Sequence, residues 1–117
     1  MSAMPKALLA GAFAALLVTL PWGDQAHAAV QRSFLLQSCT AHDQAKIAGC
    51  EAYFAGVLET VQLLQTDGAV KREVCVPERI ELRQVREGVI NYLQTHPASG
   101  SPATPGVLEA MRSLYHC

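Results

Sequence analysis

Four kinds of pattern are missing from this chain, and each absence closes a class of function. No basic stripe runs through it: without Lys6 and Asp24, eight basic and nine acidic residues remain to the end of the chain. Phosphate contacts dominate nucleic-acid affinity, so so balanced a chain excludes DNA or RNA as its expected partner. No block of like charge is present either, which argues against a charged disordered tail. No run alternates apolar and polar residues over a useful strand length, and Val74-Cys75-Val76 is the single short candidate. Finally, there is no G-x-S-x-G elbow, phosphate loop, H-E-x-x-H or dinucleotide fingerprint. His42, His96 and His116 are scattered without a neighbouring carboxylate pattern. Glu51 and Glu59 stand eight residues apart, and two glutamates on a solvated helix face account for them better than an acid–base pair. No catalytic residue, cofactor or metal ligand is therefore assigned.

What is present begins with an address. Lys6 supplies a basic start, Ala7 to Trp22 carries no charge, and Ala26-His27-Ala28 follows as a small-x-small cleavage motif. That order is the secretory pattern. The expectation is a leader over 1–28, removed to leave a mature domain over 29–117 with Ala29 first and no membrane span. The cysteines agree with export: Cys39, Cys50, Cys75 and Cys117 all follow the leader. An even count in a short exported chain reads as two disulfides, with three pairings open. A zinc site is the rival, because Cys39 and His42 form C-x-x-H and His116 adjoins Cys117, but the remaining spacings match no common zinc pattern.

The mature part reads as helices. A short apolar stretch, Phe34-Leu35-Leu36, precedes Cys39. Asp43 then caps a long helix reaching about Thr66, where Asp67-Gly68 stops it. Ile47, Cys50, Phe54, Val57, Leu58, Val61 and Leu64 share one face, beside a shelf of Gly49, Ala52 and Gly56. An apolar arc this wide predicts a central helix covered on more than one side. Gly56 then reads as a point of close backbone approach. Pro77 suits the first turn of a third helix over about Glu78 to Thr95, with Leu82, Val85, Val89, Tyr92 and Leu93 inward and His96 closing it. After the Pro97–Pro102 loop, Thr104 caps a last helix that buries Val107, Leu108, Met111, Leu114 and Tyr115. The fold class is all-α, a small disulfide-stapled bundle of about four helices. If consecutive helices run antiparallel, as short connections favour, Cys39 meets Cys50 and Cys75 meets Cys117.

The cysteine-anchored blocks, taken in order, resemble the Rap/Tai family of immunity proteins against type VI secretion amidase effectors. Leu35-Leu36-Gln37-Ser38-Cys39 is similar to its leucine-rich stretch ending in cysteine. Cys50-Glu51-Ala52-Tyr53-Phe54-Ala55-Gly56-Val57 is similar to its cysteine, aromatic, glycine block. Cys75-Val76-Pro77, Tyr92-Leu93-Gln94-Thr95-His96-Pro97 and the closing Cys117 complete the series. The resemblance implies a periplasmic helical protein that binds a peptidoglycan amidase effector and blocks its active site, with homodimers in some branches. Recognition concentrates on loops, so Lys71 and Arg72 of the Gly68–Glu73 loop and Ser99 and Ser101 of the Pro97–Pro102 loop are the candidate partner-binding residues. A periplasmic stress chaperone and a structural envelope subunit are the competing readings.

Overall fold

In the computed structural model, residues 29–97 and 102–117 are described. They form α1 (Arg32–Cys39), α2 (Gln44–Thr66), α3 (Leu82–Thr95) and α4 (Ala103–Leu114). The molecule is an all-α bundle of four helices held by two disulfides. Among the described residues, extended pairing is confined to two isolated bridges, Gln31–Pro102 and Val74–His116. The leader over 1–28, and Ser99 and Ser101, lie outside the described residues.

Local chemistry sets each helix boundary. Asp43 begins α2 by accepting the Ala45 N–H at 2.8 Å, which satisfies one of the unpaired donors of the first turn. Its end falls at Gly68, whose φ of 74° lets the chain turn back where a side chain would be strained. The third helix starts later than Pro77 suggests. Pro77 heads only a turn, closed by the Ile80 N–H on its carbonyl at 3.3 Å. Glu81 and Gln84 form a reciprocal capping box, and α3 begins after it at Leu82. Two satisfied N–H groups outweigh a proline that satisfies none. Leu82, expected inside, is exposed as a consequence. The fourth helix starts after Pro102 with no side-chain cap; Thr104, expected to cap it, lies inside the first turn and its hydroxyl meets the Tyr53 hydroxyl at 2.7 Å.

The core is drawn mainly from α3 and α4. Val85, Val89 and Leu93 on one helix face Val107, Ala110 and Met111 on the other, with Leu35 of α1 and Phe54 and Leu58 of α2 packed against them. Leu114, expected in this layer, is exposed. Cys39–Cys50 ties the end of α1 to α2, and Cys75–Cys117 ties the segment before α3 to the chain end after α4. In the chain-entropy model the second loop, 42 residues in sequence separation, contributes about 4 kcal/mol.

One buried charge joins three elements. Arg32 of α1 is 8% exposed. Its guanidinium donates to the Leu93 carbonyl at 2.8 Å and to the His96 carbonyl, closing the end of α3. A cation at a helix C-terminus is favoured by the dipole as well as by these bonds. Gly106 of α4 makes room for it: a Cβ there would stand 2.9 Å from Arg32 Nη1 and 3.1 Å from Leu93 Cδ2.

The long helix departs from expectation. Of its 23 residues only Cys50, Phe54 and Leu58 are buried. It is therefore covered on one side, not centrally. Nothing lies within 4 Å of a Cβ built on Gly49 or Gly56, so Gly56 is not a point of close approach. Its length and apolar content would suffice to cross a bilayer, yet one side forms core and carries a disulfide.

Candidate protein-docking surface

The uncovered side of α2 faces a groove against α4. The groove encloses about 490 Å³. Ala52 and Gly56 keep its floor low, Val57, Val61 and Leu64 wall it from α2, and Leu108 walls it from α4. The hydrogen-bonded pair Tyr53 and Thr104 closes one end. No charged side chain lines this part. Leu63 beside it is 60% exposed. Single exposed leucines are ordinary; a continuous apolar groove flanked by more of them marks an interaction surface.

The groove does not stop at Leu64. Val61, Leu64 and Leu108 also line an adjoining hollow of about 160 Å³ that adds Val70, Lys71 and Arg112. Lys71, Glu73 and Arg112 in turn line a third hollow with Arg72, His116 and the terminal Cys117. The three make one trough, apolar at the Tyr53 end and basic at the other. Arg112 Nε is held by Glu73 Oε2 at 3.0 Å. Lys71 and Arg72 are exposed, and among the described residues neither is in an ion pair.

The basic end is braced despite being a loop. Gln65 Oε1 accepts the N–H groups of Glu73 and Val74 at 2.9 and 3.0 Å, and its Nε2 donates to the Val74 carbonyl at 2.9 Å. The Cys75 N–H donates to the Tyr115 carbonyl at 2.7 Å beside the Cys75–Cys117 disulfide. Lys71 and Arg72 thus leave a segment fixed to both α2 and the end of α4. Pro102 stands at the opposite end of α4, and of the Pro97–Pro102 connection only the two ends are described. Its bases are pinned by Arg32 on the His96 carbonyl and by the Ala103 N–H on the Val30 carbonyl at 2.8 Å. The loop pattern singles out Lys71 and Arg72 as candidates but gives no sign of the apolar trough leading to them. The signal was in α2, whose apolar arc is wider than three neighbours can cover.

Several other titratable groups and the cysteines serve packing. Both sulfur pairs are oxidised, and no free cysteine exists among the described residues. His96 ends α3, its ring stacked on Tyr92 with centroids 3.9 Å apart. Glu51 pairs with Arg86 at 2.9 Å across α2 and α3. Burial, then the Glu109 carboxylate that accepts its hydrogen bond at 3.0 Å, hold the Tyr92 hydroxyl above the ordinary tyrosine range. Burial raises Tyr115 likewise. Among the described residues these groups do not form a nucleophile, base and oxyanion constellation. The arrangement suits recognition by surface.

A family profile described as Rap1a immunity proteins matches residues 31–117. The chain belongs to that family. The match spans all four helices and all four cysteines, from the bridge at Gln31 to the terminal residue. Neither a curated protein nor a solved structure matches the chain.

Proposed function

We propose that this member of the Rap1a immunity family is exported to the periplasm, loses residues 1–28, and there binds and inhibits a peptidoglycan amidase delivered by type VI secretion. The family match over the whole helical domain carries the reading. The secretory pattern before Ala29 and the two disulfides support the compartment. Inhibition of this kind is stoichiometric binding and requires no catalytic group. It requires an apolar centre with a polar or charged rim, which the trough supplies.

The test is an amidase assay on purified peptidoglycan with the oxidised protein added at graded ratios. Release of peptide should fall to background near one equivalent, and cells that direct the amidase to their periplasm should survive only when this protein is exported with it. Full amidase activity at excess protein would sink the reading. The open apolar groove also suits a chaperone that holds unfolded envelope proteins. That alternative predicts suppression of aggregation across unrelated clients, with no amidase preferred.

A further inference from the structure

The trough constrains what can lie in it. Between Ala52 and Leu64, α2 presents about 18 Å of lining, the length of about three helical turns. The hydroxyls along it are already engaged: Thr60 Oγ1 donates to the Gly56 carbonyl at 2.7 Å, and Thr104 is paired with Tyr53. An extended strand laid here would leave its backbone groups without partners, and such groups are costly when buried. A helix arrives with its backbone already satisfied. Its side chains must be apolar over the charge-free end. At the other end stand Lys71 and Arg72, unpaired among the described residues, with Arg112 and His116. Glu73 is there too. Glu73 is taken by Arg112, so the exposed cations are left for an incoming group.

We propose that the trough between α2 and α4 receives a helical segment of a partner protein that is apolar along its length and acidic at one end, with the carboxylates at Lys71 and Arg72. This rests on the protein-binding reading above and specifies the chemistry of the partner's contact. Helix-in-groove docking takes apolar anchors at i, i+3, i+4 and i+7. The charge pair then sets direction, because the reversed helix would put carboxylates over the Tyr53 end and leave the cations bare. Charge complementarity of this kind governs orientation and partner choice more than raw affinity.

The experiment uses the oxidised protein purified from the periplasm and two helical peptides of about 15 residues. Both carry leucines at i, i+3, i+4 and i+7; one ends in three glutamates and its twin in three lysines. Amide shifts are expected at Val57, Val61, Leu64, Lys71, Arg72 and Leu108, with the acidic peptide bound at least about tenfold tighter at low salt. The double variant K71E/R72E should invert that order. Gly56→Leu fills the groove floor at a position where a Cβ meets nothing within 4 Å; it should abolish binding of both, with an undiminished urea midpoint showing that it folds. Equal affinities, or shifts outside the trough, would overturn the proposal. So would a stable homodimer that protects these amides, because the occupant would then be a second copy. The two readings fail separately. If the wild-type protein inhibits an amidase and both variants inhibit it equally, the docking proposal falls and immunity stands. If no amidase is inhibited but the peptide order holds, the reverse is true.

Discussion

The α3–α4 hairpin and α2 use their apolar residues in opposite ways. In the hairpin they are consumed by the core: Val85, Val89, Leu93, Val107, Ala110 and Met111 are all buried to 1% exposure or less. In α2, nearly twice as long as α4, one stripe of three residues is buried, Tyr53, Val57 and Val61 are half-buried at the core's edge, and Leu63 and Leu64 stay exposed. Both are good helices by sequence. The difference is what stands opposite, and it separates a part that secures the fold from a part that presents a surface. The glycines follow the same division. Gly106 of α4 admits Arg32 and Leu93, whereas a Cβ on Gly56 of α2 would meet nothing within 4 Å.

The contrast breaks first in the core. Leu93→Ala or Met111→Ala should cost about 2–5 kcal/mol, the lost transfer energy plus an unfilled cavity. Leu63→Ala on α2 should fall within about 0.5 kcal/mol. Urea unfolding of the oxidised proteins measures both, and comparable losses at Leu63 and Leu93 would mean that α2 is covered in solution. The disulfides should rank in the same direction. Replacing Cys75 and Cys117 with serine should cost about 4 kcal/mol and replacing Cys39 and Cys50 about 3, since the shorter loop, 11 residues in separation, closes less chain.

Much of the fold is legible in the residues, for identifiable reasons. Asp43 and Asp67-Gly68 bracket α2 because cap chemistry is local, and the four-helix class follows from period alone. The start of α3 is misread when Pro77 is weighed above the E-x-x-Q spacing of Glu81 and Gln84. Both signals are local, and the better one satisfies more donors. Arg32 is illegible for a different reason. A lone arginine ahead of Phe34 gives no hint that it reaches carbonyls 61 and 64 residues away. The trough is intermediate: Lys71 and Arg72 stand out as loop cations, but their continuity with the α2 groove is a tertiary fact. So is the openness around Gly56, since sequence shows a glycine and not what fails to approach it.

The glycines give a sharper and smaller version of the comparison. Gly106→Ala places a methyl group against the guanidinium and Leu93, and overpacking of this kind costs about 1–3 kcal/mol. Gly56→Ala meets nothing and exchanges a poor helix former for the best one, so it should stabilise by about 0.5–1 kcal/mol. Opposite signs from one substitution in two helices are the expected thermal-unfolding result. Loss of stability at Gly56 would mean that another surface, from this chain or a second copy, already occupies the groove.

The smallest effect is alkaline and belongs to the hairpin side. Tyr92 and Tyr115 both titrate above the ordinary tyrosine value of about 10 when folded. Below that pH both states hold the proton and neither hydroxyl makes stability depend on pH. As pH rises past about 10, the unfolded chain releases these protons while the folded chain retains them. The unfolded state then binds fewer protons, so stability falls with rising pH through the raised folded values. Tyr115→Phe should flatten that decline by removing a group whose shift comes from burial alone. Tyr92→Phe should flatten it too, while freeing Glu109 from its hydrogen bond across α3 and α4. An unchanged slope in the two variants, followed by denaturant midpoint against pH, would place the alkaline sensitivity outside the hairpin.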